Sequence, residues 1–214
     1  MSNFEGIYEG WRSVRIEKIL QIFDRNYFKN KTVLELGCGF GHIGKHFAEK
    51  FGSIVTLAEG DPTFIEDIKG NNRNSEVIVL DQDKAWDLKK KFDVVIHWGV
   101  LYHLDNWQQD LKCACKHTDL LFLESEVADS DDPTFEFKFN DHSGFDQALN
   151  TKATRPSAAY IELELEKNGF EFKRYDDADL NYFTHTYNWE VTNNPAHCDV
   201  ERYGYRRFWI ARRK

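Results

Sequence analysis

The sequence predicts an α/β fold, a mostly parallel sheet covered by helices on both faces. Three observations predict it. Short β-branched apolar runs alternate with helical stretches between residues 13 and 125, and strands joined through helices run parallel. The runs are continuously apolar, as strands buried on both faces are. A glycine-rich turn separates the first run from the helix after it, and doubly wound sheets bind ligands at such turns.

Each element has its own signal. Ile16, Ile19, Leu20 and Phe23 recur at helical spacing and predict a helix over 13–25. TVLEL (32–36) reads as a buried strand, and Ile43, Phe47 and Phe51 share one face of the next helix. SIVTLA (53–58), EVIVL (76–80), FDVVIHW (92–98) and DLLFLES (119–125) read as four more strands, with helices over 62–69 and about 106–116. Residues 126–155 are polar and aromatic, hold the acidic run DSDD, and predict an irregular insertion serving as a lid. Pro156 and Ser157 open a helix that Asn168–Gly169 closes. FEFKRY (170–175) and YRRFWIARR (205–213) predict late strands in an antiparallel hairpin at a sheet edge.

The 214 residues suffice for one domain, with residues 1–30 as an N-terminal helical cap. No apolar run is long enough to span a membrane, and the N-terminus has no signal-peptide pattern. Cys38, Cys113, Cys115 and Cys198 form no CxxC pair, which predicts reduced thiols and a cytoplasmic protein. A net charge of −8 opposes broad contact with a phosphate backbone. Residues 201–214 run against it, with six Lys/Arg beside Glu201. That segment reads as a solvated terminal strand or as an anion-binding edge. The oligomeric state leaves no signal.

Chemistry concentrates in Glu35-Leu36-Gly37-Cys38-Gly39-Phe40-Gly41, between a strand and a helix. Glycines there permit a tight turn and let a ligand approach the backbone. Glu59 ends the second strand, where a carboxylate accepts both ribose hydroxyls, and Asp81 or Asp83 follows the third, within reach of an adenine amino group. Acids at three successive strand ends suit a cofactor that is positively charged and carries no phosphates. A pyrophosphate would be poorly served by Glu35, which argues against a nicotinamide dehydrogenase.

This set resembles the class I S-adenosylmethionine-dependent methyltransferases. VLELGCGFG (33–41) looks like their first motif and FDVVIHWGVLYHL (92–104) like their segment after the fourth strand. The resemblance implies a Rossmann-like seven-stranded sheet with one antiparallel strand. It implies S-adenosylmethionine as donor and S-adenosylhomocysteine as product. The candidate cofactor residues are then Glu35, Gly37, Cys38, Gly39, Gly41, Glu59, Gly60, Asp81, Trp98 and Arg12. EGWRS (9–13), GVLYH (99–103), RPSAAYIELELEKNGF (155–170) and GYRRFWIARRK (204–214) resemble, in order, segments of the tRNA wobble-uridine carboxymethyltransferase. That likeness implies a carboxy-S-adenosylmethionine donor, its extra carboxylate held by Tyr102 and Arg206. That family's donor-binding lysine precedes the WRS segment, whereas the first lysine here is Lys18.

Methyl transfer from a sulfonium needs proximity and alignment, and needs a base only where the acceptor loses a proton. His103 is the candidate base, beside the fourth strand's end, and Tyr102 a candidate for orienting donor or acceptor. Trp11, His142, Arg155, Tyr160 and Arg206 are candidate substrate contacts. Asp141-His142 lacks a third metal ligand of convincing spacing. The acidic bulk favours a small-molecule acceptor. The basic C-terminal segment keeps an RNA acceptor open, and a non-catalytic S-adenosylmethionine-binding module is the third reading.

Overall fold

The computed structural model describes residues 4–141, 148–175, 178–183, 185–194 and 204–214. A central sheet of seven strands has the order β3-β2-β1-β4-β5-β9-β8. Its strands are β1 (Thr32–Leu36), β2 (Ile54–Glu59), β3 (Glu76–Val79), β4 (Val94–Trp98), β5 (Leu120–Val127), β8 (Phe170–Tyr175) and β9 (Tyr205–Arg213). β1 to β5 pair in parallel, and β9 runs antiparallel to both neighbours. The outer strands β3 and β8 are partly exposed, whereas every residue of β4 and β5 is buried. Continuous apolar runs therefore sit centrally, as double-sided burial requires.

Two apolar layers flank the sheet. On one face, Ile16 and Ile19 of α1 (Phe4–Leu20) join Phe28, Phe47, Phe51 and Phe122. On the other, Trp107 and Leu111 of α4 (Trp107–Lys116) meet Ile161 and Leu165 of α5 (Ala158–Lys167), with Trp209 beneath. The short helices α2 (His42–His46) and α3 (Ile65–Asn71) follow β1 and β2. Buried Asp110 of α4 accepts from Trp86 Nε1 at 2.8 Å and Gln82 Nε2 at 3.1 Å, and His97 Nε2 lies 2.6 Å away. It thereby satisfies polar groups of β4 and of the β3–β4 connection that burial would otherwise orphan. No helix among the described residues is long and apolar enough to cross a membrane.

Four expectations need correction. The helix predicted over 13–25 is α1, which starts at Phe4 and ends at Leu20. Asp24 then caps a separate 3-10 turn, Arg25–Phe28. Among the described residues of 126–155, part is regular. β5 runs on to Val127, and β6 (Glu136–Asn140) pairs with β7 (Lys152–Pro156) as an antiparallel ribbon. Phe137 and Phe139 stack on one face of it, 5.9 Å apart. Pro156 closes β7, and Ser157 rather than Pro156 starts α5, its hydroxyl accepting from Tyr160 N–H. The two late strands form the predicted antiparallel pair at one side of the sheet, but the basic C-terminal strand is not itself the edge and is solvated only at its end, where Arg212 and Arg213 are exposed. β9 lies between β5 and β8, and Arg206 and Arg207 are buried.

Candidate functional site

The carboxyl ends of the parallel strands gather the predicted residues, because every β-to-α turn emerges on that edge. The turn after β1 is built by hydrogen bonds to its own acids. Gly44 N–H donates to Glu35 Oε2 at 2.7 Å, and Gly39 N–H to Glu59 Oε2 at 2.8 Å. Glu59 Oε1 also accepts from Asp61 N–H at 3.0 Å. Two carboxylates from adjacent strands thus fix the loop's amides. Gly37 packs on Val100, Gly41 precedes α2, and Cys38 is buried with its thiol pushed well up by burial.

Two glycines of the turn do opposite work. A Cβ on Gly44 would lie 2.4 Å from Leu57 and 2.7 Å from Glu35 Oε2, so close packing of α2 on the sheet requires glycine. A Cβ on Gly39 would meet nothing within 4 Å. Gly39 has φ +53°, and its bare face opens away from the protein. A ligand could approach the backbone there.

Glu35 lies beneath this surface. It is 3% exposed, and burial pushes its carboxyl up to about 8, against the Gly44 hydrogen bond and the charge of Arg12. Burial likewise raises Glu59 against its three backbone N–H donors. The folded chain therefore holds a proton on Glu35 more tightly than the unfolded chain does. Its stabilising contribution is complete below about pH 4.5 and is lost as pH rises toward 8. Glu35→Gln is expected to match the wild type at acid pH and to exceed its stability above pH 8. Denaturant titrations across that range check this; a difference that does not change with pH would show a freely ionised carboxylate.

Asp81 accepts from Asp83 N–H and pairs with exposed Lys84. Asp83 accepts from Asp105 and Asn106 N–H and from Asn150, tying down the start of α4. Gly60 sits beneath Leu149, so the ribbon's connection reaches the end of β2.

Tyr102 and His103 lie in the 3-10 turn Leu101–His103 after β4, their rings 4.1 Å apart. His103 Nδ1 lies 2.7 Å from Asp141 Oδ2, at the end of β6. Tyr102 is half-buried; desolvation raises its phenol, and its hydroxyl accepts from Arg206 Nη2 at 3.2 Å. Beside them lies a buried charge cluster. Arg15 binds Glu124 through Nε at 2.8 Å and Nη2 at 2.5 Å. Glu126 accepts from Arg206 Nη2 at 3.1 Å and from Arg155 Nε at 2.9 Å. Burial raises the Glu126 carboxyl, but Arg206, Arg155 and His103 together bring it below its ordinary value.

Arg206 is 4% exposed; among the described residues its Nε and Nη1 have no hydrogen-bond partner, Nη1 lying 3.7 Å from Glu124. The same holds for the indole N–H groups of Trp11 and Trp98. A Cβ on Gly99 would lie 3.6 Å from Trp11 and 4.0 Å from Arg206 Nη1. Trp11, Trp98 and Arg206 thus place unpaired donors around the end of β4. Buried donors of this kind cost stability unless something accepts from them.

The structure brings together Glu35, the glycine turn and Glu59, and separately Trp11, Tyr102, His103, Arg155 and Arg206. Tyr160 stands apart, its ring edge-on to Trp107 and its hydroxyl accepting from Gln108. His142 and Cys198 lie outside the described residues. Among those described, no three His, Cys, Asp or Glu are arranged to hold a metal ion. Sequence reading missed Arg15, Glu124 and Glu126, and weighed Asp141 only as a metal ligand beside His142. For the glutamates a signal existed: LFLESEV sets two acids at i and i+2, one face of a buried strand, which demands cations. For Asp141 none existed, because its partner is 38 residues away in sequence.

A family model described as a methyltransferase domain matches residues 8–174. No curated protein matches the chain. Among solved structures it is similar to the N-terminal domain of EvdMO1 in the presence of SAH and D-fucose, at 16% identity and TM-score 0.69, over 96% of this chain and 83% of that one. It is similar to magnesium protoporphyrin IX methyltransferase from Synechocystis PCC 6803 with bound SAM, at 16% identity and TM-score 0.64, over 100% of this chain and 86% of that one. Coclaurine N-methyltransferase bound to N-methylheliamine and SAH matches at 19% identity and TM-score 0.57, over 77% of this chain and 50% of that one. At these identities the likeness is one of fold.

Proposed function

The chain belongs to the methyltransferase-domain family, and from that premise we propose that it transfers a methyl group from S-adenosylmethionine to a small-molecule acceptor. The observation that carries the reading is the open face of Gly39 beside Glu59. A cofactor can lie against that backbone, and Glu59, with three backbone N–H donors on four lone-pair sites, keeps acceptor capacity for a ribose hydroxyl. Asp81 is the acid that would accept from the adenine amino group. Structural neighbours crystallised with SAM or SAH support the same cofactor.

S-adenosylmethionine, when bound, supplies a methyl already activated on a positively charged sulfur. The chain's own residues then bind, align and exclude water. Arg12 faces Glu35 from α1, and Trp11 closes over Gly99. α1 and the β6–β7 ribbon form the two sides of the acceptor site, within one catalytic domain. Support for a small acceptor comes from the net charge of −8, and from neighbours solved with small molecules, D-fucose and N-methylheliamine among them.

Calorimetry tests the cofactor: S-adenosylmethionine and S-adenosylhomocysteine are expected to bind and NAD is not. Glu59→Ala removes both the ribose acceptor and the anchor of Gly39, and is expected to weaken binding by about 1.5–3 kcal/mol, the range for hydrogen bonds to charged groups. Unchanged affinity would displace the cofactor from β2.

One observation favours a second reading. The guanidinium of Arg206, whose Nη1 makes no hydrogen bond among the described residues and lies 3.7 Å from Glu124, suits a carboxylated donor, with Tyr102 beside it. Mass spectrometry of ligands retained through purification separates S-adenosylmethionine from carboxy-S-adenosylmethionine, and salt-sensitive tRNA binding would bring back an RNA acceptor.

A further inference from the structure

We infer that Asp141 and His103 form a carboxylate–imidazole dyad whose Nε2 is the general base, and that the acceptor atom is therefore a hydroxyl oxygen. The inference rests on the methyltransferase reading and narrows its substrate class.

Asp141 Oδ2 accepts from Ala148 N–H at 2.9 Å and lies 2.7 Å from His103 Nδ1. The carboxyl is 7% exposed. Burial alone would raise it, but the hydrogen bond and charge of His103, with the Ala148 N–H, hold it below its ordinary range. It is a carboxylate, and a carboxylate only accepts. Nδ1 must then carry the proton, and the lone pair of a neutral His103 sits on Nε2. No described residue bonds Nε2, and the side chain is 19% exposed, so this lone pair faces reachable space. The strands deliver it to the carboxyl edge: His103 follows β4, the immediate neighbour of β1 and its glycine turn.

A base matters most for one acceptor class. An amine attacks through its own lone pair, and a thiol ionises near neutral pH. A hydroxyl, with a pKa far above neutral, gains most from losing its proton as it attacks. As the oxygen–methyl bond forms and the carbon–sulfur bond breaks, the hydroxyl proton passes to Nε2. The products are an ether, neutral S-adenosylhomocysteine and an imidazolium, which Asp141 stabilises until its proton leaves to solvent. Asp141 is a positioning residue; His103 is the catalytic one.

The test pairs a tautomer measurement with a transfer assay. Nitrogen-15 NMR of the ring, on the S-adenosylhomocysteine complex of the full chain, is expected to show the Nδ1–H tautomer for His103. His103→Gln assigns the signal. Asp141→Ala should revert it to the Nε2–H form that free imidazole prefers. Asp141→Asn should keep Nδ1–H through its amide oxygen, a rescue that a merely structural role would not produce. An Nε2–H tautomer in the wild type, or no change in Asp141→Ala, overturns the dyad.

Labelled S-adenosylmethionine is then supplied with a panel of sugars, phenols, amines and thiols. Ether products are expected, slowed by roughly 10²–10⁴-fold in His103→Gln, the range for general-base catalysis. Methylation confined to amines or thiols, or no ether from any member, overturns the hydroxyl class. Calorimetry with S-adenosylhomocysteine separates the failures. Binding with the wrong tautomer sinks the dyad alone, whereas no binding removes the methyltransferase reading beneath it.

Discussion

Gly39→Val is expected to fold and to lose S-adenosylmethionine binding by roughly 3 kcal/mol or more, over a hundredfold. The reason is local. The added side chain meets no protein atom within 4 Å, so the core does not object. It projects instead into the face that the cofactor would occupy. The backbone at φ +53° adds strain that a β-branched residue tolerates poorly, confined to a loop whose amide stays tied to Glu59. Gly44→Ala is the informative contrast. Its methyl would strike Leu57 at 2.4 Å and the Glu35 carboxyl at 2.7 Å, so stability falls along with binding. Calorimetry for affinity and thermal melts for stability separate the two. A Gly39→Val chain that binds like wild type would place the cofactor elsewhere.

Glu124→Ala is expected to destabilise the fold by about 3–5 kcal/mol, the cost of leaving a buried ion without its partner. Arg15 and Glu124 are both fully buried, and the guanidinium's remaining bonds go to the carbonyls of Trp11 and Leu180. Removing the carboxylate strands the Arg15 charge and takes an anion from Arg206, 3.7 Å away. Lys31 and Asp93, each more than a third exposed, provide the comparison. Asp93 also accepts from Thr32, so Lys31→Met is the cleaner variant and should leave stability nearly unchanged. Denaturant midpoints measure both. A loss below about 1 kcal/mol in Glu124→Ala would mean that water reaches the cluster. Because Arg15 belongs to α1 and Glu124 to β5, this pair also holds the cap against the sheet edge.

Much of this was written in one dimension. The parallel strands announced themselves because burial on both faces forces a continuous apolar run, and TVLEL and FDVVIHW have no other good use. The glycine turn was legible because its spacing and its flanking acid are local. Glu59 was legible because a strand's end is set by the strand. Where local pattern was weak the reading slipped. The alternating phenylalanines of FEFKFN lay inside a polar stretch, so the β6–β7 ribbon was read as irregular. The cationic run in β9 was read as a solvated face or an edge. Strand order is a matter of long-range pairing, and the sheet inserts β9 between β5 and β8.

What only the tertiary structure decided is which charges meet. Sequence determined that acids and arginines stand on strands; it did not determine that Glu126 faces Arg206 across an antiparallel pair, or that Arg15 arrives from a helix 109 residues away from Glu124. Nor did it assign Asp141 to His103. Hydrophobic periodicity is a property of neighbouring residues and survives in a string of letters. An ion pair or a dyad is a property of distance in space, and appears only when the chain has closed its loops.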